Sequence, residues 1–297
     1  MSDYIPKRIF YVWLGSSAPA DVLQAIHQWK QQLPDYEIVE INETSKQYFD
    51  FANELKDNLW FKTVYEKKMW AYAADYIRCK VLYQHGGIYL DTDISIQQSF
   101  DDILSEPAFI GKESSDCVNL AVIGCRKNNA FIKHVLDFYS EDIWTHPIYT
   151  IPKIATWVLE KYYNCKLSKN DKIIRLSDIT IFPEKWFYPY EYHVKYSDSC
   201  LTAESHTIHW WKESWSKPEI NAWLKAKHLR SKEQSIKEDL FLIRRIYLFS
   251  FIRLFEYNTQ KGWIYISGIK LPLLKIKPVY NRLKIKLFNL ITLFKIR

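Results

Sequence analysis

Residues 84–94 read QHGGIYLDTDI, a glycine pair and a short apolar run that ends in two aspartates. The apolar run after two glycines predicts a buried strand, with Asp91 and Asp93 at its carboxyl end. Alternate residues of a strand point to the same side, so both carboxylates face one way. Burying two like charges there is costly unless a cation neutralises them. The spacing therefore raises the question of what the two aspartates hold.

The residues on either side of this stretch predict an α/β fold. Residues 8–15, RIFYVWLG, and 36–42, YEIVEIN, have the composition of core strands, and residues 19–34 between them have apolar residues near helical spacing. Residues 63–87 show the clearest helical pattern, which ends at the glycine pair. This β-α-β order predicts a parallel, doubly wound sheet, in which ligands bind at the carboxyl ends of the strands.

The remaining part of the body continues the alternation of helices and strands. Strands are predicted within 107–125 and 179–189, and helices within 129–141 and 151–163. The segment 206–215, HTIHWWKESW, closes the body.

Composition indicates a globular protein with a large core. The chain has 297 residues, of which 48% are apolar and 16% aromatic. Five scattered cysteines without a Cys-x-x-Cys pair indicate neither a zinc site nor a disulfide framework. The sequence has neither the pattern of a signal peptide nor an uncharged apolar run long enough to span a membrane. We therefore expect a cytoplasmic protein.

The charge is distributed unevenly along the chain. Residues 221–297 contain 17 Lys and Arg against 4 Asp and Glu, a net charge of +13, whereas residues 1–220 carry −6. Large apolar residues alternate with these basic residues, which predicts a basic amphipathic helical region that associates with an anionic membrane surface. A helical subdomain that packs on the acidic body is the alternative. Nucleic acid is not an expected partner, because the aliphatic residues would remain exposed.

The aspartate pair fits more than one kind of site. Its oxygen atoms suit Mg²⁺ or Mn²⁺, which would neutralise a diphosphate leaving group, as in transferases that use nucleotide sugars. The same pattern fits a haloacid-dehalogenase-like phosphatase with Asp91 as its nucleophile, although the chain lacks the downstream Gly-Asp-x-x-x-Asp motif of that class. A solvated strand end is the alternative without function.

The predicted helix before the strand favours the transferase. Asp75 and Arg78 are three residues apart and share one helix face. The ordered block Ala74-Asp75-x-x-Arg78-x-x-x-Leu82-x-x-x-Gly86-Gly87-x-Tyr89-x-Asp91-x-Asp93 resembles the signature of glycosyltransferase family 32. That family contains fungal initiating mannosyltransferases and bacterial capsule and O-antigen transferases, and the clostridial glucosylating toxins are more distant relatives. The similarity extends over about residues 4–216.

The resemblance implies a GT-A fold and a role for individual residues. A divalent cation, Mn²⁺ or Mg²⁺, would be held by Asp91, Asp93 and His209. The donor-binding residues implied by the family pattern are Trp13, Asn42, Asp75, Arg78, Tyr89, Asp91, Ser214 and Trp215. The catalytic residues would be Asp75, Arg78 and Asn119.

The expected function is retaining, metal-dependent transfer of a hexose or N-acetylhexosamine from a nucleotide sugar, with UDP-sugars favoured. The expected acceptor is a lipid-linked oligosaccharide of surface polysaccharide biosynthesis, met at the inner face of the plasma membrane. Residues 1–220 would form the catalytic domain and 221–297 the membrane-associating region. A phosphatase, or a non-catalytic protein that binds sugar nucleotides or membranes, remains the alternative.

Overall fold

The computed structural model describes residues 3–212, 218–229 and 231–237 and six strands between residues 244 and 296. Residue contacts divide the chain into two compact units, Met1–Trp215 and Ser216–Arg297. The division lies a few residues before the boundary expected at residue 220.

The first unit is built on a seven-stranded sheet with helices packed against it. The strands of this unit are β1 (Arg8–Val12), β2 (Glu37–Ile41), β3 (Gly87–Leu90), β4 (Ile94–Ile96), β5 (Ala108–Ser114), β6 (Cys117–Cys125), β7 (Ile174–Arg175), β8 (Thr180–Phe182) and β9 (Thr207–His209). The helices are α1 (Ala20–Gln32), α2 (Phe51–Asp57), α3 (Leu59–Glu66), α4 (Trp70–His85), α5 (Ala130–Ser140), α6 (Ile151–Tyr163) and α7 (Glu184–Phe187).

The strand order in the large sheet is β2-β1-β3-β6-β5-β8-β7, and β4 pairs with β9 in a separate two-stranded ribbon. Strand β1 is parallel to β2 and β3, and β5 is parallel to β8. Strand β6 runs antiparallel to both β3 and β5. The α/β fold and the parallel pairing expected from the β-α-β opening are thus confirmed, whereas the sheet as a whole is mixed rather than parallel. The two residues between β5 and β6 are too few for a parallel crossover, so the two strands form an antiparallel hairpin.

The long helix predicted over residues 63–87 is divided into α3 and α4. Lys68 has a positive φ of 55°, and Met69 before α4 has a ψ of 66°. Neither angle is helical, so the chain turns between the two helices. Apolar periodicity continues across this turn, which is why the sequence reads as one helix.

The glycine pair makes the turn from α4 into β3. Gly86 and Gly87 have φ values of +66° and +120°. Residues that carry a Cβ atom rarely adopt such values. A Cβ at Gly87 would lie 2.8 Å from the backbone oxygen of Arg8 in the neighbouring strand β1. Strand β3 therefore begins directly after the helix, and every residue in it is buried, as expected for a central strand.

Helix α1 is joined to the two-stranded ribbon by its buried tryptophan. Trp29 is 1% exposed, and its indole nitrogen donates a hydrogen bond of 2.8 Å to the backbone oxygen of Ile94 in β4. Its ring also lies 6.1 Å from the ring of Tyr11 in β1. The ribbon is thereby held against the core at the place where the aspartates follow β3.

The second unit contains two short helices and an antiparallel sheet. Its helices are α8 (Pro218–Ala226) and α9 (Lys232–Lys237), and its strands are β10 (Arg244–Leu248), β11 (Ile252–Asn258), β12 (Trp263–Ile266), β13 (Ile269–Val279), β14 (Arg282–Leu287) and β15 (Ile291–Ile296). Each strand pairs with the next along the chain. The indole nitrogen of Trp223 donates to the backbone oxygen of Ser235, at 3.0 Å, and so joins α8 to α9.

The helical prediction for residues 221–297 is wrong for the strands of this sheet. Runs such as LLKIK at 273–277 and RLKIKL at 282–287 alternate basic and aliphatic residues. That period of two, rich in isoleucine, is the pattern of a strand rather than of a helix. Among the described residues, no helix has the length and apolar character needed to cross a membrane.

We expect Gly87→Ala to destabilise the protein by about 2 kcal/mol or more, because alanine disfavours the backbone angles at this position and meets the strand beside it. Urea denaturation followed by tryptophan fluorescence measures the change, with the exposed Ser17→Ala as the control. Equal midpoints for the two variants would contradict this reading of the turn.

Candidate functional site

The candidate site lies where strands β1, β2 and β3 end. Trp13 and Asn42 directly follow β1 and β2, and the Trp13 nitrogen donates to the backbone oxygen of Ile41 at 3.1 Å. Asp91 directly follows β3, and its nitrogen donates to the backbone oxygen of Ala121 at 2.9 Å. Parallel neighbours end at the same edge of a sheet, so residues distant in sequence meet here.

Asp91, Asp93 and His209 form a compact cluster of metal-ligating groups. One ligand atom from each lies within 4.8 Å of the other two. The Nε2 atom of His209 is 3.3 Å from Oδ1 of Asp93. The pairing of β4 with β9, in which Ile94 faces His209, brings the histidine to the aspartates. The structure thus brings together the three residues predicted to hold the cation.

The electrostatics of the cluster differ between its two carboxylates. Burial raises the pKa of Asp91 and outweighs the opposing effect of Arg78. Burial also acts to raise the pKa of Asp93, but the hydrogen bond and charge of His209 and the backbone nitrogen of Lys212 outweigh it, so the pKa of Asp93 is lowered. Asp93 is therefore held in its charged form next to a carboxylate that is harder to ionise.

The chemistry of these donors fits a divalent cation. Two carboxylates and one imidazole are ligands that Mn²⁺ and Mg²⁺ sites in proteins accept, with the nitrogen better suited to Mn²⁺. The Nδ1 atom of His209 is buried and has no hydrogen-bond partner among the described residues. The ring of Trp211 lies 4.0 Å from the imidazole. A cation bound here would neutralise the two aspartates.

Arg78 connects the helix α4 to the aspartates. Its Nη2 atom lies 2.9 Å from Oδ1 of Asp75 and 3.0 Å from Oδ1 of Asp91. Its Nη1 atom donates to the backbone oxygen of Leu120 at 2.9 Å, and the guanidinium lies 4.4 Å from the centre of the Tyr89 ring. The side chain is 5% exposed, so these contacts fix its position.

Asp75 is held in an environment that disfavours its charge. Burial raises the pKa of Asp75 to about 7, the charge of Asp91 adds to that effect, and Arg78 opposes it. Only Oδ1 of Asp75 pairs with Arg78.

Tyr89 binds Asp91 through its hydroxyl group. Its hydroxyl donates to Oδ1 of Asp91 at 3.0 Å, and the residue is 2% exposed. The family pattern implies a contact of Tyr89 with the donor. In the structure its hydroxyl binds Asp91 and its ring lies against the guanidinium of Arg78.

Trp13 and Asn42, which the family pattern implies as donor-binding residues, differ in whether their polar atoms already have hydrogen-bond partners. The indole nitrogen of Trp13 is buried without a hydrogen-bond partner. The amide of Asn42 donates to Glu40 at 2.8 Å, and its oxygen accepts from the nitrogen of Thr44 at 2.9 Å. Asn42 thus stabilises the turn after β2. The expected donor contacts Ser214 and Trp215 lie outside the described residues.

Asn119 is accompanied by an acidic residue that the sequence did not reveal. The Asn119 amide donates to Oε2 of Glu113 at 2.7 Å, and its oxygen accepts from the nitrogen of Ala121 at 2.8 Å. Burial raises the pKa of Glu113. The β5–β6 hairpin, with its irregular register after Ile110, brings the two side chains together. A hairpin signal alone would not have placed Glu113 at the site.

Comparisons with known proteins point to one family. Residues 19–110 match the family described as "Glycosyltransferase sugar-binding region containing DXD motif". That range contains Asp75, Arg78, Asp91 and Asp93. This part of the chain is similar to the sugar-binding region of the DXD glycosyltransferases. The resemblance predicted from the block at residues 74–93 is therefore confirmed at the level of this DXD family.

Curated relatives of the DXD family match only in part. Inositol phosphoceramide mannosyltransferase 3 of Schizosaccharomyces pombe is 31% identical over 136 residues, which are 46% of this chain and 37% of that protein. Mannosyl phosphorylinositol ceramide synthase SUR1 of Saccharomyces cerevisiae is 25% identical over 177 residues, 57% of this chain and 45% of that protein. The chain thus spans less than half the length of these relatives. Among solved structures, the PaToxG glycosyltransferase has a TM-score of 0.45 and 19% identity, over 53% of this chain and 70% of that one.

The raised pKa of Asp75 predicts how stability depends on pH. Between the ordinary pKa of an aspartate and about 7, the folded protein binds a proton that the unfolded chain has lost, so stability falls as pH rises. Asp75→Asn removes this effect. In the presence of EDTA, its stability relative to the parent protein should increase by about 1–3 kcal/mol from low to neutral pH. Urea denaturation across that range measures this, with the exposed Asp35→Asn as control, and parallel pH profiles for parent and Asp75→Asn would contradict it.

Proposed function

We propose that the protein is a metal-dependent, retaining glycosyltransferase that moves a hexose or N-acetylhexosamine from a nucleotide sugar, with UDP-sugars favoured. One observation carries the proposal. Ligand atoms of Asp91, Asp93 and His209 lie within 4.8 Å of one another, and Arg78 joins this cluster to Asp75. Groups that would hold a cation thus lie next to a carboxylate and a guanidinium that would bind sugar hydroxyls.

Asp91, Asp93 and His209 would hold Mn²⁺ or Mg²⁺. The ion supplies positive charge that stabilises the diphosphate as it leaves. Asp91 is the more exposed of the two carboxylates, with 29% of its side chain accessible against 15% for Asp93. Arg78 and Tyr89 bind the same oxygen of Asp91, which leaves its second oxygen available for coordination.

Asp75 and Arg78 would orient the donor sugar. The second oxygen of Asp75 accepts from a sugar hydroxyl, and the Nε atom of Arg78 is buried without a partner. Because the Arg78 guanidinium is already held by two carboxylates and the Leu120 oxygen, the sugar meets a preorganised surface. Trp13 would stack on the nucleobase beside Asn42.

Retention fits attack from the face that the diphosphate leaves. In this reaction the acceptor hydroxyl attacks the anomeric carbon, the bond to the diphosphate breaks, and the departing phosphate oxygen takes the proton. No enzyme nucleophile is required, so the residues of the site contribute position and charge. Asn119, held by Glu113, would lie beside the reacting sugar.

The family match disfavours the phosphatase alternative. Residues 19–110, which contain Asp91 and Asp93, match a glycosyltransferase sugar-binding region. The hydrogen bonds from Arg78 and Tyr89 to one oxygen of Asp91 fit a carboxylate that is held in position to bind a cation. A non-catalytic protein that binds sugar nucleotides is the remaining alternative, and it would bind a donor without turning it over.

The proposed acceptor is a lipid-linked oligosaccharide of surface polysaccharide biosynthesis. Two relatives are named for mannosyl transfer to ceramide lipids, which supports a lipid-carried acceptor. Residues 221–297, with their net charge of +13, would bind an anionic membrane surface and place the enzyme on the inner face of the plasma membrane. The proposed membrane binding of residues 221–297 rests on their composition. Each basic residue near an anionic lipid surface contributes about 1 kcal/mol of attraction.

Asp93→Ala should reduce hydrolysis and transfer of the donor by about a hundredfold or more, because the cation loses a charged ligand. Activity is measured over UDP-glucose, UDP-galactose, their N-acetyl forms and GDP-mannose with Mn²⁺ or Mg²⁺. Electron paramagnetic resonance of free Mn²⁺ measures metal binding independently, and Asp35→Ala is the control. Undiminished turnover in a folded Asp93→Ala variant would remove the central claim, and release of phosphate from a phosphoester would favour the phosphatase.

The full-length protein should float with vesicles that contain anionic phosphatidylglycerol and should dissociate as salt concentration rises. Vesicles of neutral phosphatidylcholine are the control. A protein that stays in the bottom fraction with anionic vesicles at low salt would contradict the membrane-associating role of residues 221–297.

A further inference from the structure

A cavity of about 360 Å³ lies outside the metal cluster, lined by residues of α1, of β4 and by Trp210. Four of its lining residues are glutamines, and the others are Ser95, Ile96 and Trp210. Among the described residues, no charged side chain lines it. A phosphate or an amine would find no counter-charge there, whereas a neutral, hydroxyl-rich molecule would find amide groups and an aromatic ring.

Trp210 presents a fixed aromatic face to this cavity. The residue is 40% exposed, which is unusual for so large an apolar side chain next to a core. Its indole nitrogen donates to Oγ of Ser95 at 2.6 Å, and the ring of Tyr196 lies 5.0 Å away. The ring is therefore held in place with its hydrogen-bonding capacity used, and what remains for a ligand is its apolar surface.

The glutamines supply hydrogen-bond acceptors in defined positions. The amide nitrogens of Gln32 and Gln97 donate to the backbone oxygen of Ile96, at 3.1 Å and 3.2 Å. Their side-chain oxygens are thereby left to accept from ligand hydroxyls. Gln28 and Gln31 line the same cavity from α1, so acceptors and donors surround the exposed ring.

The cavity is separate from the metal cluster although the two are neighbours. The backbone nitrogen of Trp210 donates to the backbone oxygen of Asp93 at 3.0 Å. This hydrogen bond continues the pairing of β4 and β9 by one residue. The residues that line the cavity include none of Asp91, Asp93 and His209. His209 is 7% exposed beside the aspartates, whereas Trp210 is 40% exposed at the cavity.

We propose that this cavity is a carbohydrate-binding subsite, which takes a neutral sugar ring stacked on Trp210 and hydrogen-bonded by the glutamines. The sugar belongs to a non-reacting part of a glycan, so the subsite holds a long acceptor beside the metal cluster. This inference rests on the proposed function only in taking the bound sugar to be part of the acceptor. Binding of the sugar by stacking and hydrogen bonds requires no turnover.

Saturation-transfer NMR in EDTA tests the subsite directly with neutral disaccharides of mannose, galactose, glucose and N-acetylglucosamine. At least one should bind the parent protein, and Trp210→Ala should weaken that binding about tenfold. Tyr162→Ala is the matched control, since Tyr162 is 43% exposed on α6, and Asp93→Ala should bind the sugar normally. The double variant Gln28→Ala, Gln31→Ala should weaken binding several-fold and decides the matter if Trp210→Ala does not fold.

Absence of binding by every disaccharide, or unchanged binding in folded Trp210→Ala, would overturn the proposal. Loss of binding in Asp93→Ala would also overturn it, because the sugar would then occupy the metal cluster. Intact disaccharide binding without any donor turnover by the parent protein would overturn the proposed function and leave the subsite standing.

Discussion

The site depends on the shared ion pair of Arg78 with Asp75 and Asp91. One buried guanidinium nitrogen lies within 3.0 Å of an oxygen from each carboxylate, while its other terminal nitrogen binds the backbone of β6. A buried charge is tolerated only when its partners remain in place, so loss of the guanidinium would leave two acidic groups uncompensated. This interaction fixes helix α4, the end of β3 and β6 relative to one another. The metal cluster is built on that arrangement.

The backbone around the glycine pair makes this arrangement reachable. Because Gly86 and Gly87 adopt positive φ values, α4 leads into the central strand without a loop, and Arg78 on the helix faces Asp91 at the strand end. Tyr89 adds a hydrogen bond to the same aspartate. Asp93 is then free to pair with His209. The two aspartates thus have different environments, one anchored by Arg78 and the other charged beside an imidazole.

Sequence patterns predicted much of the first unit because its signals are local. The strands at β1 and β2, helix α1 and the strand before Asp91 follow from apolar periodicity and from glycine and proline positions. The same reasoning joined α3 to α4, since periodicity does not register a single turn at Lys68. It also assigned helices to residues 244–296, where alternation of basic and aliphatic residues forms strands instead. Local period is ambiguous when apolar and charged residues mix at high density.

The sequence by itself predicted that Asp75, Arg78, Asp91 and Asp93 belong to one site, because their order on one helix and one strand sets their spacing. The family resemblance implied a role for His209, but only the tertiary structure placed it beside the aspartates. The tertiary structure alone showed that Glu113 holds Asn119 and that Trp210 lines a cavity. These contacts link residues that a strand pairing or a hairpin brings together. Such pairing depends on the packing of the whole chain, which no short stretch of sequence records.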